Sequence, residues 1–305
     1  MPLYNKAPYV RKAVESVMAQ TYTTWELWVI DDGSADMSAE VAESVNDARI
    51  HIVRQKNAGV SATRNRGAAE STAPYICFLD ADDWWEPTFL EEMAGLIGHH
   101  PDAGIYGTGY TIVDERHHRS RPSPIGVEPG FLEGYIDYFA VYTRTKAMPL
   151  WTGAVCIPRK VFAEEGGFNP QLKMAEDFDL WVRIALKHPV AFLNKPLANY
   201  NQDVDQKTRA IGSLPPPSTQ FAFCADYLAP LVKDKPAAKY MVEWVQIVCL
   251  KQYYLSREYH KLAKEVLAGI DMTEHKGKPY TEYIDRPLWI GRAKMHLYQL
   301  YDRMR

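Results

Sequence analysis

Three aspartates stand close together in the segment CFLDADDWW, residues 77–85. Asp80, Asp82 and Asp83 follow an apolar run typical of a buried strand, and carboxylates this close repel one another when they are removed from water. Pro87 indicates that a helix begins nearby, but a helix cap needs only one of them. The two-residue spacing of Asp80 and Asp82 would let a turn direct one of them toward a ribose and the other toward a metal-bound pyrophosphate. The pattern favours Mg²⁺ or Mn²⁺, which prefer carboxylate oxygens.

A second acidic pair, Asp31 and Asp32, begins the sequence DDGS after the apolar run WELWVI. Asp-Gly pairs often form ordinary turns, and a turn alone would explain the motif. If this turn lies at the ligand-binding edge of a sheet, one of its carboxylates can accept the imide N–H of uracil or thymine. We therefore expect the turn to contribute to a nucleotide site.

The sequence NAGVSATRNRGAA, residues 57–69, joins a glycine turn to a helix that carries Arg64 and Arg66. Arginine binds phosphate through paired hydrogen bonds, and a helix N-terminus attracts anions. A solvated helix face is the alternative, and it suits Arg66 better than Arg64. The segment is not a Walker phosphate loop, because it lacks the Gly-Lys-Ser/Thr ending.

The sequence MAEDFDLWVR, residues 174–183, places Glu176, Asp177 and Asp179 at the start of a predicted helix. Acidic residues in this position stabilise a helix through its dipole without any catalytic role. However, transfer of a group to a hydroxyl needs a general base, and the chain already carries a predicted metal and nucleotide site. This cluster is the candidate for that base.

The elements that must position these clusters alternate along the chain. Strands are predicted near residues 25–30, 49–53, 74–80, 103–113, 151–157 and 190–200, with helices between them that include 10–18 and 177–187. Alternating strands and helices predict an α/β domain with a doubly wound, mainly parallel sheet, which binds ligands beyond the carboxyl ends of its strands. Three consecutive prolines, residues 215–217, are typical of a stiff linker. We therefore predict a domain of residues 1–214 and a helical extension, 215–305.

Composition excludes several classes of protein. Of the 305 residues, 47% are hydrophobic, so the chain can bury a large core and is not expected to be disordered. A formal charge of -3 gives no general reason to bind nucleic acid. The chain has no apolar stretch of membrane-spanning length, and its cysteines are widely spaced in apolar contexts, as in reduced cytoplasmic proteins. We expect a soluble or peripheral cytoplasmic protein.

Six motifs occur in a fixed order: PLYNKAPYV, WELWVIDDGS, NAGVSATRNRGAA, FLDADDWWEP, EEGGFN and AEDFDLWVR. Together they strongly resemble the family 2 inverting glycosyltransferases, which have the GT-A fold, and the resemblance extends from residue 1 to about 205. It implies a metal-dependent transferase that moves a sugar from a nucleotide sugar, most often a UDP-sugar, to a hydroxyl of a glycan or lipid-linked acceptor. Bacterial surface polysaccharide synthesis, at the cell envelope, is the implied setting.

The resemblance also implies roles for individual residues. Asp32 would contact the nucleobase, Asp80 the ribose, and Asp82 the Mn²⁺ or Mg²⁺ ion that bridges the donor diphosphate. Asp177 would be the catalytic base, with Glu176 beside it. The remaining implied positions are Pro2, Tyr4 and Arg64 at the nucleotide and Trp181 at the acceptor.

Two departures from the family pattern affect these expectations. The first strand of the family, normally several apolar residues before PLYN, is missing, so we expect this strand to be truncated. Relatives often carry a Tyr-Arg-x-His segment whose His helps to bind metal, whereas this chain has YNQD at residues 200–203. Asp203 is the expected substitute ligand.

Two other functions remain open at this point. A metal-dependent nucleotidyltransferase also uses paired carboxylates but releases pyrophosphate, and a non-catalytic nucleotide-sugar-binding subunit would bind UDP without turnover. A Rossmann dehydrogenase is disfavoured, because no G-x-G-x-x-G follows the first strand position.

The C-terminal tail alternates basic and apolar side chains. Such a tail can lie on an anionic membrane at the inner face of the plasma membrane, although packing against the rest of the protein explains the pattern equally well. The basic residues are Arg286, Arg292, Lys294, Arg303 and Arg305, and the apolar ones are Leu288, Trp289, Ile290, Leu297, Tyr298 and Tyr301.

Overall fold

A computed structural model describes residues 1–114, 119–203 and 214–293 of the chain. The chain divides into two compact units, Met1–Gly212 and Ser213–Arg305. In the basic tail, Arg286 pairs with Glu282 at 2.9 Å and Arg292 donates to the carbonyl of Leu255 at 3.0 Å. The rest of the tail, from residue 294, lies outside the described residues, so membrane contact stays a prediction.

The first unit contains a sheet of three parallel strands, β1 (Pro2–Leu3), β2 (Leu27–Asp31) and β3 (Ile50–Arg54). Parallel neighbours cannot be joined by a tight turn, so each connection crosses over through a helix. The helices are α1 (Val10–Met18), α2 (Ser38–Glu43) and, after β3, α3 (Val60–Glu70). The strand-helix alternation predicted from the sequence is confirmed in this sheet.

Strand β1 is the shortest member of this sheet. Its two residues lie opposite Ile30 and Asp31 of β2, and the α-amino group of Met1 donates to the carbonyl oxygen of Trp28 at 2.8 Å. Truncation of the family's first strand stays a prediction.

The first unit also contains a mixed sheet, built from β4 (Tyr75–Cys77), β5 (Trp84–Trp85), β6 (Ile105–Asp114), β7 (Arg119–Pro122), β8 (Glu133–Ile136), β9 (Val155–Pro158) and β10 (Val190–Asn201). Its order is β4-β9-β6-β10-β5, with β7 beside β6 and β8 beside β10. Strands β6 and β10 run parallel, while their other neighbours run antiparallel. The predicted strand at 151–157 begins instead with a 3-10 turn, Thr152–Ala154, so β9 is shorter than expected.

Further helices of the first unit are α4 (Phe89–His99), α5 (Tyr138–Thr145), α6 (Arg159–Glu164) and α7 (Glu176–Lys187). One hydrophobic core joins the two sheets, because it contains Leu3 and Val29 as well as Tyr106 and Ala191. The predicted α/β fold is confirmed, with antiparallel pairs added in the second sheet.

The second unit is helical, as predicted. Its helices are α8 (Phe221–Cys224), α9 (Ala229–Val232), α10 (Pro236–Leu255), α11 (His260–Ala268) and α12 (Glu282–Asp285). It has its own core, in which Ile247 and Leu250 of α10 pack with Ala263 and Leu267 of α11. In the described parts of both units, no helix has the length and apolar character needed to cross a membrane.

Candidate active site

Arg64 of α3 connects two acidic clusters that are far apart in the sequence. Its guanidinium donates from Nη2 to both oxygens of Asp80, at 2.8 and 3.1 Å, and from Nη1 to Oε1 of Glu176, at 2.9 Å. The arginine side chain is only 5% exposed, so these are charge-assisted bonds in a place where water competes weakly. The turn after β4 and the start of α7 are therefore held together by one residue.

Asp177 lies next to this arginine network. Its Oδ2 accepts from Thr152 Oγ1 at 3.1 Å and its Oδ1 accepts from the backbone N–H of Phe178 at 2.7 Å. Ala175, two positions before Asp177, has φ = 59°. This left-handed conformation costs a non-glycine residue about 1–2 kcal/mol. Such strain is often found at functional sites. Here it lies directly before the two acidic residues Glu176 and Asp177.

Burial and mutual charge interactions together set the pKa values of Asp177, Glu176 and Arg64. Burial raises the pKa of Asp177, and the opposing effects of Arg64 and of the two hydrogen bonds do not cancel it. Burial and the neighbouring Asp177 likewise raise the pKa of Glu176, against the effect of Arg64. Burial works against the charged form of Arg64, but Asp80, Glu176 and Asp177 outweigh it and raise its pKa. A carboxylate with a raised pKa is a stronger base, which suits proton abstraction near neutral pH.

Asp82 and Asp83, which form the second half of the acidic turn, have other partners than Asp80 does. Oδ2 of Asp82 lies 2.6 Å from Nζ of Lys6, and the two side chains are 18% and 15% exposed. Burial raises the pKa of Asp82 and Lys6 only partly offsets this. Asp83 is buried and accepts the backbone N–H of Asn201, at the end of β10, at 2.8 Å.

We expect Asp83→Asn to stabilise the protein at pH 8 and to have little effect near pH 4. Burial, together with Asp82 and Asp80, raises the pKa of the Asp83 carboxyl well above its usual range. The stability that such a group contributes is present below its unfolded pKa of about 3.9 and is lost as the pH rises through its folded pKa. The amide keeps an acceptor oxygen for Asn201 and has no charge to bury.

Urea denaturation of Asp83→Asn and wild type at pH 4 and pH 8 measures this effect. The expected result is a higher free energy of unfolding for Asp83→Asn than for wild type at pH 8 and no such gain at pH 4. A loss of stability at pH 8 would mean that the native fold pairs the ionised carboxylate well.

The acidic turn fits a divalent cation that takes most of its ligands from phosphate and water. Asp80 and Asp82 present hard oxygen donors, and both are balanced here by basic side chains of the protein. Across residues 1–114, 119–203 and 214–293, no cluster of three or more His, Cys, Asp or Glu side chains is arranged to hold a metal by itself. Mg²⁺ typically needs only one or two carboxylates beside substrate phosphates. Asp82 would be the residue that holds such an ion.

Asp203 lies at the same edge of the mixed sheet. Its backbone N–H donates to Oδ1 of Asn201 at 2.9 Å, and Asn201 in turn donates to Asp83. Strand β10 therefore brings Asp203 near the acidic turn, as the YNQD comparison requires. Its role as a metal ligand stays a prediction.

Asp32 uses its carboxylate within the protein. It accepts from the backbone N–H groups of Ala58 and Gly59, at 2.8 and 2.9 Å, and from Nε2 of Gln55 at 2.8 Å. These bonds hold the turn before α3 against the end of β2. The contact of Asp32 with a nucleobase stays a prediction, and it would have to share or replace these donors.

The remaining predicted residues differ in exposure. Pro2 lies in β1, and Tyr4 directly after it is 44% exposed, so its ring is available at the strand end. Trp181, in contrast, is fully buried and packs edge-on against Phe168 with ring centroids 5.8 Å apart. An acceptor cannot reach the indole in this structure, which does not support the predicted acceptor contact. The sequence pattern did not separate this core tryptophan from a surface one.

Sequence reasoning missed two residues of the site, Lys6 and Thr152. Lys6 lies inside the quoted motif PLYNKAPYV, but no spacing rule links it to Asp82. Thr152 lies on the 3-10 turn where a strand was predicted. Next to it, Trp151 packs against Tyr110 and Tyr200, with ring centroids 5.0 and 5.2 Å apart.

Asp179 is also placed by the structure. It is buried and pairs with Arg183 at 2.8 Å, one helical turn later in α7. This acidic residue therefore stabilises α7 and does not line the site beside Asp177.

Sequence comparisons identify relatives of this chain. The family model described as Glycosyl transferase family 2 matches residues 1–164, more than half of the chain. An uncharacterized glycosyltransferase of Rickettsia felis is 32% identical over 205 residues, which are 63% of this chain and 32% of that protein. The putative glycosyltransferase EpsH of Bacillus subtilis is 37% identical over 105 residues, 34% of this chain and 30% of that protein. The match to this chain thus spans about a third of the length of each of these curated relatives.

Solved structures provide a comparison of the fold. The structure of S. aureus TarS in complex with UDP-GlcNAc has a TM-score of 0.61 and 17% identity, and the match covers 95% of this chain and 77% of that chain. TarS residues 1–349 in complex with UDP give a TM-score of 0.61 and 16% identity, covering 92% and 72%. At this identity the similarity shows the fold alone. Together with the family model, it shows that this chain belongs to glycosyl transferase family 2 and has the GT-A fold.

Proposed function

We propose that this protein is a metal-dependent inverting glycosyltransferase that moves a sugar from a UDP-sugar to a hydroxyl of a glycan or lipid-linked acceptor. The observation that carries the proposal is the network in which Arg64 bonds to both Asp80 and Glu176, with Asp177 next to Glu176. Arg64 thereby links the proposed donor-side carboxylate to the residue next to the proposed base, which supports the close placement of donor and acceptor that a direct transfer requires.

The donor half of the proposed site is the edge formed by β1, β2 and the acidic turn. Asp80 would accept from the ribose hydroxyls, and the exposed ring of Tyr4 would lie beside the nucleoside. TarS, which shares the fold, has been solved with UDP and with UDP-GlcNAc, which supports a uridine donor. Asp32 is the proposed partner of the base.

The acceptor half is centred on Asp177. The Thr152 hydroxyl and the Phe178 N–H orient its carboxylate. In the proposed reaction, Asp177 takes the proton of the acceptor hydroxyl as that oxygen forms the new bond to the anomeric carbon and the bond to UDP breaks. Attack from the side opposite the leaving group inverts the anomeric configuration. A divalent cation, when bound, supplies positive charge that stabilises the departing diphosphate.

The proposed setting is bacterial surface polysaccharide or lipid-linked glycan assembly, in the cytoplasm or at the inner face of the plasma membrane. The similarity to EpsH and to other bacterial glycosyltransferases supports sugar transfer in a bacterial setting. The sugar and the acceptor would be selected by the region between residues 104 and 150.

Binding of UDP by this protein is expected to depend on Mn²⁺ and on Asp82. Calorimetry should show that UDP affinity falls at least about tenfold when Mn²⁺ is replaced by EDTA, because the ion carries much of the diphosphate charge. Asp82→Asn should lose this dependence. Asp102→Asn, which changes an exposed carboxylate before β6, is the matched control and should behave as wild type.

A screen of nucleotide sugars with Mn²⁺ then tests the reaction. Slow hydrolysis that releases UDP, and faster turnover with an acceptor, are expected. Release of pyrophosphate would favour a nucleotidyltransferase, and UDP binding without turnover on any acceptor would favour a non-catalytic subunit. Equal UDP affinities for wild type and Asp82→Asn would remove Asp82 from the metal site.

A further inference from the structure

Lys6 is the basic partner of Asp82, and hydrogen bonds fix the position of its main chain. The Lys6 backbone N–H donates to Ser38 Oγ at 2.7 Å, and its carbonyl accepts from Val10 at 3.0 Å, at the start of α1. The residue before it, Asn5, adopts φ = 51° and accepts from Ala35 at 2.8 Å. The main chain is therefore anchored on both sides. Only the side chain is free to move its ammonium group between partners.

The ammonium group lies against the carboxylate that would hold a divalent cation. Nζ lies 2.6 Å from Oδ2 of Asp82, and both side chains are mostly buried. An ammonium in such close contact lowers the affinity of this carboxylate for a second cation, because the two positive charges repel each other at short range. Asp80 differs, because its partner Arg64 is also bonded to Glu176 and is fixed at two points. The exchangeable cation of the turn is therefore Lys6.

Lysine is suited to such an exchange. Its charge is compact and its four-carbon stem rotates freely, whereas a bidentate arginine is fixed in orientation. An ammonium displaced from Asp82 would remain within reach of any diphosphate bound beside this carboxylate. Lysine is also a common ligand of phosphate, which it binds as a point charge.

We propose that Lys6 competes with a divalent cation for the Asp82 carboxylate, with which it pairs in this structure, and that it binds the donor diphosphate when the cation displaces it. This inference rests on the proposed function, since it assumes a diphosphate donor and a divalent cation. It assigns Lys6 a role that the sequence motif alone did not suggest.

Binding of Mn²⁺ in the absence of nucleotide tests the competition. Lys6→Met is expected to bind Mn²⁺ about tenfold more tightly than wild type, because the loss of one charge-assisted hydrogen bond frees Asp82. Lys12→Met is the matched control. It removes another ammonium from the same region, where Nζ lies 3.2 Å from the centroid of the Trp84 ring, and it should change Mn²⁺ affinity by less than about twofold.

Binding of UDP in EDTA tests the second role. Without metal, Lys6→Met should bind UDP about tenfold more weakly than wild type, since one phosphate contact is lost. Uridine, which lacks the diphosphate, should bind both proteins equally. Lys6→Gln, which keeps a hydrogen-bond donor without the charge, should resemble Lys6→Met in both measurements and guards against a folding defect specific to methionine.

The outcomes separate this inference from the proposed function. Unchanged Mn²⁺ affinity in Lys6→Met, or a gain no larger than that of Lys12→Met, overturns the competition. Equal UDP affinities of wild type and Lys6→Met in EDTA overturn the diphosphate role. If wild type binds no UDP under any condition, the proposed function fails, while the Mn²⁺ measurement still decides whether Lys6 competes for Asp82.

Discussion

Asp177→Asn is expected to lower the rate of sugar transfer by about 10²–10⁴-fold, the usual contribution of a general base. The amide preserves the shape of the side chain: its oxygen can accept from the Phe178 N–H and its NH2 group can donate to the Thr152 hydroxyl oxygen, but it cannot take up the acceptor proton. Because the donor diphosphate is predicted to bind at Asp82, UDP affinity should change by less than about twofold. Initial rates with saturating donor, together with calorimetry of UDP binding, measure both effects.

A substitution of Glu176, the residue next to Asp177, tests whether the effect is specific to Asp177. Glu176→Gln removes the charge that pairs with Arg64 and should reduce the rate less than Asp177→Asn does. If Glu176→Gln abolishes transfer while Asp177→Asn stays active, the base is Glu176. Full activity of both variants would leave only the helix-dipole role of these acidic residues.

The pH dependence of the rate adds an independent test of the base. Asp177 must be ionised to accept a proton, so the rate should fall as the pH is lowered through its pKa, which burial raises above the usual aspartate range. Thr152→Val removes a hydrogen bond that favours the ionised form. The acid limb of the profile should therefore move to higher pH in Thr152→Val, whereas a purely structural role of Thr152 would leave its position unchanged.

Arg64→Met is expected to cause the largest loss of stability among the site variants, about 3–5 kcal/mol at pH 8, the usual effect of leaving buried charges unpaired. Arg64 is 5% exposed and supports two carboxylates, Asp80 and Glu176. The matched control lies on the same helix. Arg66 is 46% exposed and pairs only with Glu70 one turn later, so Arg66→Met should cost less than about 1 kcal/mol.

The loss in Arg64→Met should depend on pH in a definite direction. Without the guanidinium, the pKa values of Glu176 and Asp177 rise further, so these groups take up protons on folding. The stability they contribute is present below their unfolded pKa of about 4 and is lost as the pH rises through the folded values. Urea denaturation should therefore show a smaller defect at pH 5 than at pH 8. Equal defects in Arg64→Met and Arg66→Met would mean that the network adds nothing to stability.

The sequence by itself determined the features that depend only on residues close together in the chain. The amphipathic spacing of α1, the alternation of strands and helices, and the acidic turns after apolar strands are all local patterns, and they predicted the α/β fold and the helical second unit. Because parallel strands bring their carboxyl ends to one edge, the same patterns predicted that the acidic clusters would share a site. The Arg64 network joins two of these clusters.

The pairing of individual side chains was decided only by the tertiary structure. Arg64 and Glu176 are 112 positions apart in the chain, and Lys6 and Asp82 are 76 positions apart, so no local periodicity encodes their contacts. The sequence likewise could not tell that Asp32 would bond to the turn before α3, or that Trp181 would be enclosed by the core. Burial and pairing depend on the surrounding three-dimensional packing, which sets both the exposure of a group and the charges around it.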